Sequence, residues 1–223
     1  LRGYVVSRLL WNPDRPVWPI IDEFLPAYYG RAANSVRGYL DAFHTRLRKD
    51  NSLHYTLYDP PTHPLFDEST LRKAESSLMK GEKLVKDKER LRVRLLLHGI
   101  SYARLGRVSG RFSIRNGKYH GGATQKDRAL LESMIEDWRT AGIQRIREGA
   151  AFDTTAGILR NRIGIHKVEW LSGGDNSIAV VPALGGRIIE WNAHGRQWIS
   201  PADPDNAWNP YPMNEGFLDY VIQ

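Results

Sequence analysis

The chain has 223 residues, of which 41% are hydrophobic and 26% charged, values that exclude long disorder, a collagen-like chain and a purely coiled-coil rod. No apolar run reaches the roughly 18 residues of a membrane-crossing helix, and the absence of Cys excludes a disulfide scaffold and a Cys-ligated zinc site. The net charge of +7 is uneven: residues 1–67 carry 8 basic and 7 acidic groups, residues 68–128 carry 16 and 6, and residues 129–223 carry 8 and 12.

Residues 1–161 read as a helical domain and 162–223 as a β-rich domain. Val5, Val6, Leu9 and Leu10 fall on one face of a first helix, which Asn12-Pro13-Asp14 ends because proline disfavours the helical state in the residue before it. A second helix runs from about Trp18 to Tyr29, with Gly30 suited to terminate it and Pro26 expected to kink or shorten it. Ala33, Val36, Leu40, Phe43 and Leu47 step by three and four residues, which makes one apolar stripe on a helix of roughly 17 residues. A Pro-rich loop over 51–66 precedes a helix at 69–80 and a longer one at about 82–108, with Leu84, Leu91, Leu95, His98, Tyr102 and Leu105 along one side.

Asn116-Gly117 is a hairpin-type turn signal, although its flanks are short. Thr124 and Asp127 have the spacing of a capping box and open a helix with Leu131, Met134, Ile135 and Trp138 inward, ending near Arg147. After Arg162 the period changes to two. Strands are expected at 163–171, 177–181, 187–191, 196–199 and 217–222, separated by turns at Gly173–Asn176 and Pro182–Gly186. The fold class is therefore α+β: an N-terminal all-helical bundle followed by a partial antiparallel β-sandwich whose remaining strands are expected beyond Gln223.

Few residues point to chemistry. No two of the seven His stand at the i, i+4 spacing of a helical zinc site, and there is no nucleophile elbow or phosphate-binding loop, so neither metal nor cofactor is expected and no catalytic residue is assigned. Asp22, Glu23, Glu190, Glu215 and Asp219 are acid–base candidates by type only, and surface charge is the favoured reading of them. His98 reads as a satisfied core histidine. The basic run at 72–94 is interrupted by Glu82, Asp87 and Glu89 and has no aromatics for base stacking, so a solvated helix face of mixed charge is favoured over a nucleic-acid site. Trp170 and Trp191, within strands, are assigned to core packing. Trp198, Trp208 and Tyr211 are the candidate glycan-contacting residues, because flat rings with a polar handle stack on sugar faces.

Arg2-x5-Arg8-Leu-Leu-Trp11 is similar to the last barrel helix of hexosaminidase-like glycoside hydrolases. Leu9-Leu-Trp-Asn-Pro-Asp14, Asp22-Glu-Phe-Leu-Pro-Ala-Tyr-Tyr-Gly30, Ala32-Ala33 and Tyr39-Leu-Asp41 resemble a bacterial family, a domain of unknown function related to α-glucuronidase-type and hexosaminidase-type barrels; Pro26 departs from that pattern. Ile178-x-Val180-Val-Pro182-x-x-Gly-Gly-Arg-Ile188 and Gly195-Arg-Gln-Trp198 resemble the opening strands of mutarotase-like β-sandwiches. These resemblances imply a TIM barrel upstream in the same parent chain, with 1–11 as its last helix and the acid and base before Leu1. They also imply a glycan or oligosaccharide as partner and a secreted or periplasmic location, while the lack of a long apolar run argues for no membrane partner; the chain opens without a signal peptide, and both ends read as internal cuts. The expected function is that of a C-terminal fragment of a glycoside-hydrolase-like protein. The rival is a non-catalytic carbohydrate-binding or structural module, and nucleic-acid binding through 72–94 ranks below both.

Overall fold

The computed structural model describes residues 1–56, 63–109, 112–146 and 150–199. The protein is α+β, and its chain divides into two compact units. The first comprises Leu1–Ala103 and Glu136–Ile143, and the second Arg104–Ile135 and, among the described residues, 144–199. The change from helical to strand period after Arg162 therefore falls inside the second unit.

In the first unit, α1 (Arg2–Trp11) stops at Asn12, as the following proline requires. It buries no residue. Leu1 and Val5 pack against the core, but Val6 and Leu10 are exposed, so the four apolar residues do not share one buried face. Helix α2 (Val17–Tyr29) runs its full length with Pro26 inside it, so the expected shortening does not occur. The amide of Gly30, at φ 54°, donates to the Pro26 carbonyl and closes the helix. A 3-10 turn, Gly30–Ala32, leads into α3 (Ala33–Lys49), whose 17 residues match the apolar stripe.

Helices α3 and α4 (Glu68–Glu82) approach closely through small residues. A Cβ on Gly38 would stand 2.4 Å from Ser77 Oγ, and one on Gly81 would stand 2.6 Å from Ser35 Cβ. Ser77 Oγ uses the proximity to donate to the Ser35 carbonyl at 2.8 Å. Helix α4 is capped by Asp67, which accepts from the Thr70 amide at 2.9 Å. Helix α5 (Asp87–Ser109) turns Val93, Leu96, Ile100 and Ala103 inward along with His98, Tyr102 and Leu105. Leu91 and Leu95 of the expected stripe are only half-buried, and Leu84 lies outside the helix and is exposed. Ile21, Leu25, Val36, Tyr39, Leu71, Leu78, Val93 and Leu96 form the middle of one apolar core.

In the second unit, β1 (Phe112–Arg115) and β2 (Lys118–Gly121) form the hairpin signalled by Asn116-Gly117, at φ 51° and 68°. This hairpin stands between α5 and α6. Helix α6 (Gln125–Thr140) opens on the expected reciprocal cap: the Thr124 amide donates to Asp127 Oδ2 at 2.8 Å, and the Asp127 amide to Thr124 Oγ1 at 3.2 Å. Its buried apolar positions include Leu131, Met134, Ile135 and Trp138. It ends at Thr140, not near Arg147, because Gly142 takes φ 75° and the Ile143 amide folds back onto the Trp138 carbonyl at 3.0 Å. Helix α7 (Phe152–Ile163) is fastened to α6 by Arg160, which donates twice to the Glu132 carboxylate at 2.8 and 2.6 Å.

The period-two run that follows is two strands rather than one. Strand β3 (Ile165–Lys167) pairs with β2, and β4 (Glu169–Gly173) pairs with β5 (Asn176–Val181). Between them, buried Val168 donates its amide to the Gly117 carbonyl at 3.2 Å. Strands β6 (Arg187–Ala193) and β7 (Arg196–Ile199) complete an antiparallel sheet of order β4-β5-β6-β7 beside the three-stranded β1-β2-β3 sheet. Tyr119, Val168, Ala179, Val181 and Ile189 form a core shared by the two sheets, with Phe112 and Ile114 against it. That is the layering of a partial sandwich, and among the described residues neither sheet closes into a barrel. The strand expected at 217–222 lies outside the described residues.

Candidate functional site

Because strand side chains alternate, the shared core takes one face of the four-stranded sheet and leaves the other outward. Register places Leu171, Ile178 and Trp191 in one row across β4, β5 and β6. Leu171 and Ile188 on this outward face are exposed, and Ile178 is half-buried. The two-residue turn His194-Gly195, at φ 50° and 72°, returns the chain as β7. A register shift after Trp191 then makes Trp198 the extra residue on the bulged strand.

This local geometry stacks the two indoles. The Trp191 and Trp198 rings have centroids 5.8 Å apart at 27°, and the Arg196 guanidinium carbon lies 4.8 Å from the Trp198 centroid. Trp191 is 38% and Trp198 56% exposed, so the pair forms an aromatic step at the sheet margin. Trp170, on the opposite face in register with Ala179 and Glu190, is 46% exposed. The assignment of Trp170 and Trp191 to core packing is thus corrected, since neither is buried by the shared core. Of the three candidate glycan residues, Trp198 is in this step, whereas Trp208 and Tyr211 lie outside the described residues.

Among the described residues, the acid–base candidates Asp22, Glu23 and Glu190 are each held by a local partner. Glu23 accepts from Tyr4 Oη at 2.5 Å, Arg8 at 2.7 Å and Arg15 at 2.6 Å. Hydrogen bonding from Tyr4, then from Arg15, holds its carboxyl at about 2. Asp22 is paired with Arg37, whose guanidinium carbon sits 4.0 Å from the Trp18 ring centre. Both carboxylates pin the first three helices together through these ion pairs. Glu190 accepts from its neighbour Asn192 at 2.8 Å. Glu215 and Asp219 lie outside the described residues. No cluster of three or more His, Asp or Glu placed to hold a metal ion occurs among the described residues.

A buried ionisable cluster joins α5 to the end of α6. His98 Nε2 stands 2.5 Å from Asp137 Oδ2, and Arg94 donates to the same oxygen at 2.7 Å. A carboxylate oxygen can only accept, so neutral His98 carries its proton on Nε2. Burial pushes the His98 pKa below its ordinary value, outweighing the upward pull of Asp137, while Arg94 adds to the lowering. This is the satisfied core histidine anticipated from its place on the helix. Asp137, its partner, is separated from it by 39 residues of sequence and carries no local signal.

Residues 1–41 match a family described as Domain of unknown function (DUF4838), a stretch that covers α1, α2 and the first half of α3. No curated protein and no solved structure matches the chain.

Proposed function

We propose that this chain is the helical and β-sandwich portion of a carbohydrate-active, glycoside-hydrolase-like protein, and that its β-rich part contacts glycan at the Trp191–Trp198 step. The observation that carries this reading is the outward, stacked indole pair with a guanidinium beside it. Sugar rings present apolar C–H faces and polar rims, which suit an indole next to a fixed hydrogen-bond donor, and a rigid aromatic loses little conformational entropy on binding. The mutarotase-like resemblance of β5 to β7 supports the same assignment. The outward side of α1 supports an upstream barrel domain as its covering partner, because Val6, Leu10 and Trp11 are 46%, 82% and 92% exposed.

A structural accessory role is the second reading. It is favoured by Leu171, Ile178 and Ile188 on the same outward face as the step, a surface more apolar than a sugar site needs. Titrating the chain with neutral and uronic-acid oligosaccharides, followed by Trp emission and calorimetry, separates the two. The glycan reading expects a saturable change that Trp198→Ala abolishes and Trp11→Phe keeps. Unchanged emission and no heat across the panel overturn it in favour of the structural role.

A further inference from the structure

The basic run of α4 and α5 sorts its charges in three dimensions. Its arginines are engaged: Arg72 with Glu68 at 3.1 Å, Arg90 with Glu82 at 3.1 Å, Arg94 with Asp137 at 2.7 Å, and Arg92 with the Tyr28 carbonyl at 2.6 Å and the Tyr28 ring at 3.9 Å. Its lysines are not. Lys73, Lys80, Lys83, Lys86 and Lys88 are all exposed, and none makes an ion pair among the described residues.

Helical spacing puts Lys73 and Lys80 on one face of α4. Lys73 and Lys80 are seven residues apart, two helical turns and about 10.5 Å along the axis of α4. Lys83 follows as the C-cap residue in helical φ/ψ, and Lys86 lies in the short link before α5. Glu68, Glu75 and Glu82 repeat at the same interval of seven but on the other flank of the solvent face, where Glu68 and Glu82 hold Arg72 and Arg90. Asp87 and Glu89 are the acids nearest the far end. Like charges one turn apart repel, and among the described residues neither Lys80 nor Lys83 makes an ion pair.

We propose that Lys73, Lys80, Lys83 and Lys86 form a rail for a linear acidic polysaccharide, a carboxylated or sulfated glycan lying along α4. Charge complementarity carries the inference. A row of unpaired ammonium groups suits an extended polyanion, and lysine supplies point charges without the planar fork that reads bases. There is no exposed aromatic along α4 on which bases could stack. The choice of a glycan polymer rests on the proposed function; the rail itself does not involve the Trp191–Trp198 step.

The test is titration of the whole chain with polygalacturonate and with heparin, alongside a DNA duplex and phosphatidylserine vesicles, at two salt concentrations. Binding to the acidic polysaccharides is expected to weaken on the order of tenfold or more between about 50 and 200 mM salt, as charge neutralisation at several sites requires. The Lys73→Glu/Lys80→Glu/Lys83→Glu variant, checked for an unchanged unfolding midpoint, is expected to lose that binding, while Trp198→Ala retains it. No binding, binding insensitive to the triple substitution, or equal or tighter binding of DNA or vesicles overturns the proposal. Failure of the glycan reading shows separately, as neutral oligosaccharides that leave Trp emission unchanged.

Discussion

The packing of β2 against α7 makes a quantitative prediction. Gly121 closes β2, and its amide donates to the Gly164 carbonyl at 2.9 Å. A Cβ there would stand 2.6 Å from the Arg162 carbonyl oxygen, 2.8 Å from Ile163 Cα and 2.9 Å from the Ile163 carbonyl carbon. All three are backbone atoms at the end of a helix that Arg160 also anchors to α6, so no side chain can swing aside. Relief must come from moving strand against helix, and overpacking of that kind costs about 1–3 kcal/mol. Gly157, inside α7, provides the contrast: its Cβ would meet nothing within 4 Å. Alanine there gains about 0.5–1 kcal/mol from helix propensity alone. Urea unfolding of Gly121→Ala and Gly157→Ala should therefore move the midpoint in opposite directions with the slope unchanged. A Gly121→Ala protein that unfolds at the wild-type midpoint, or one more stable than Gly157→Ala, refutes the reasoning.

Two further outcomes concern titration. Because the folded pKa of His98 lies below its unfolded value near 6.5, the unfolded chain takes up the proton first, so His98 withdraws stability as pH falls below about 6.5. Denaturation midpoints measured from pH 7.5 to 5 should fall less steeply in His98→Gln than in the wild type; parallel curves would exclude the assignment. For Glu23, the first contributor to its low pKa is the Tyr4 hydroxyl, so Tyr4→Phe should raise the value from about 2 in a carboxyl-detected NMR titration, and no upward movement would count against that hydrogen bond.

Much of the helical part was legible because its signals are local. The 3-4 stepping of Ala33 to Leu47 produced α3, and Thr124-x-x-Asp127 produced the cap of α6 with Leu131, Met134, Ile135 and Trp138 buried behind it. Local signals failed where distant contacts decide. Pro26 sits inside α2 without shortening it, in a helix that Ile21, Leu25 and Tyr29 hold in the core. Alternation in β4 and β6 marks two faces but not which one is covered or how far the cover reaches, and the covering strands β1 and β2 come from some 50 residues earlier, so Trp191 on the outward face and Trp170 on edge strand β4 are not the core residues that alternation suggests. Asp137 was missed because its meaning depends on His98 and Arg94, a helix away. The basic run was legible as composition. Its division into engaged arginines and outward lysines depends on Tyr28, Glu82 and Asp137, which sequence spacing does not bring together.

The handover at Val168 constrains how this chain can change length. One residue separates a strand committed to the first sheet from a strand committed to the second, so there is no slack to absorb an insertion. Adding a single amino acid there would invert β4, driving Leu171 toward the shared interior and Trp170 to the opposite side. The turns at Gly174-Asp175 and His194-Gly195 are different, because each joins neighbours within one sheet and can grow outward. Length variants and inserted reporter tags should accordingly be tolerated at those two hairpin tips and rejected at the crossing point.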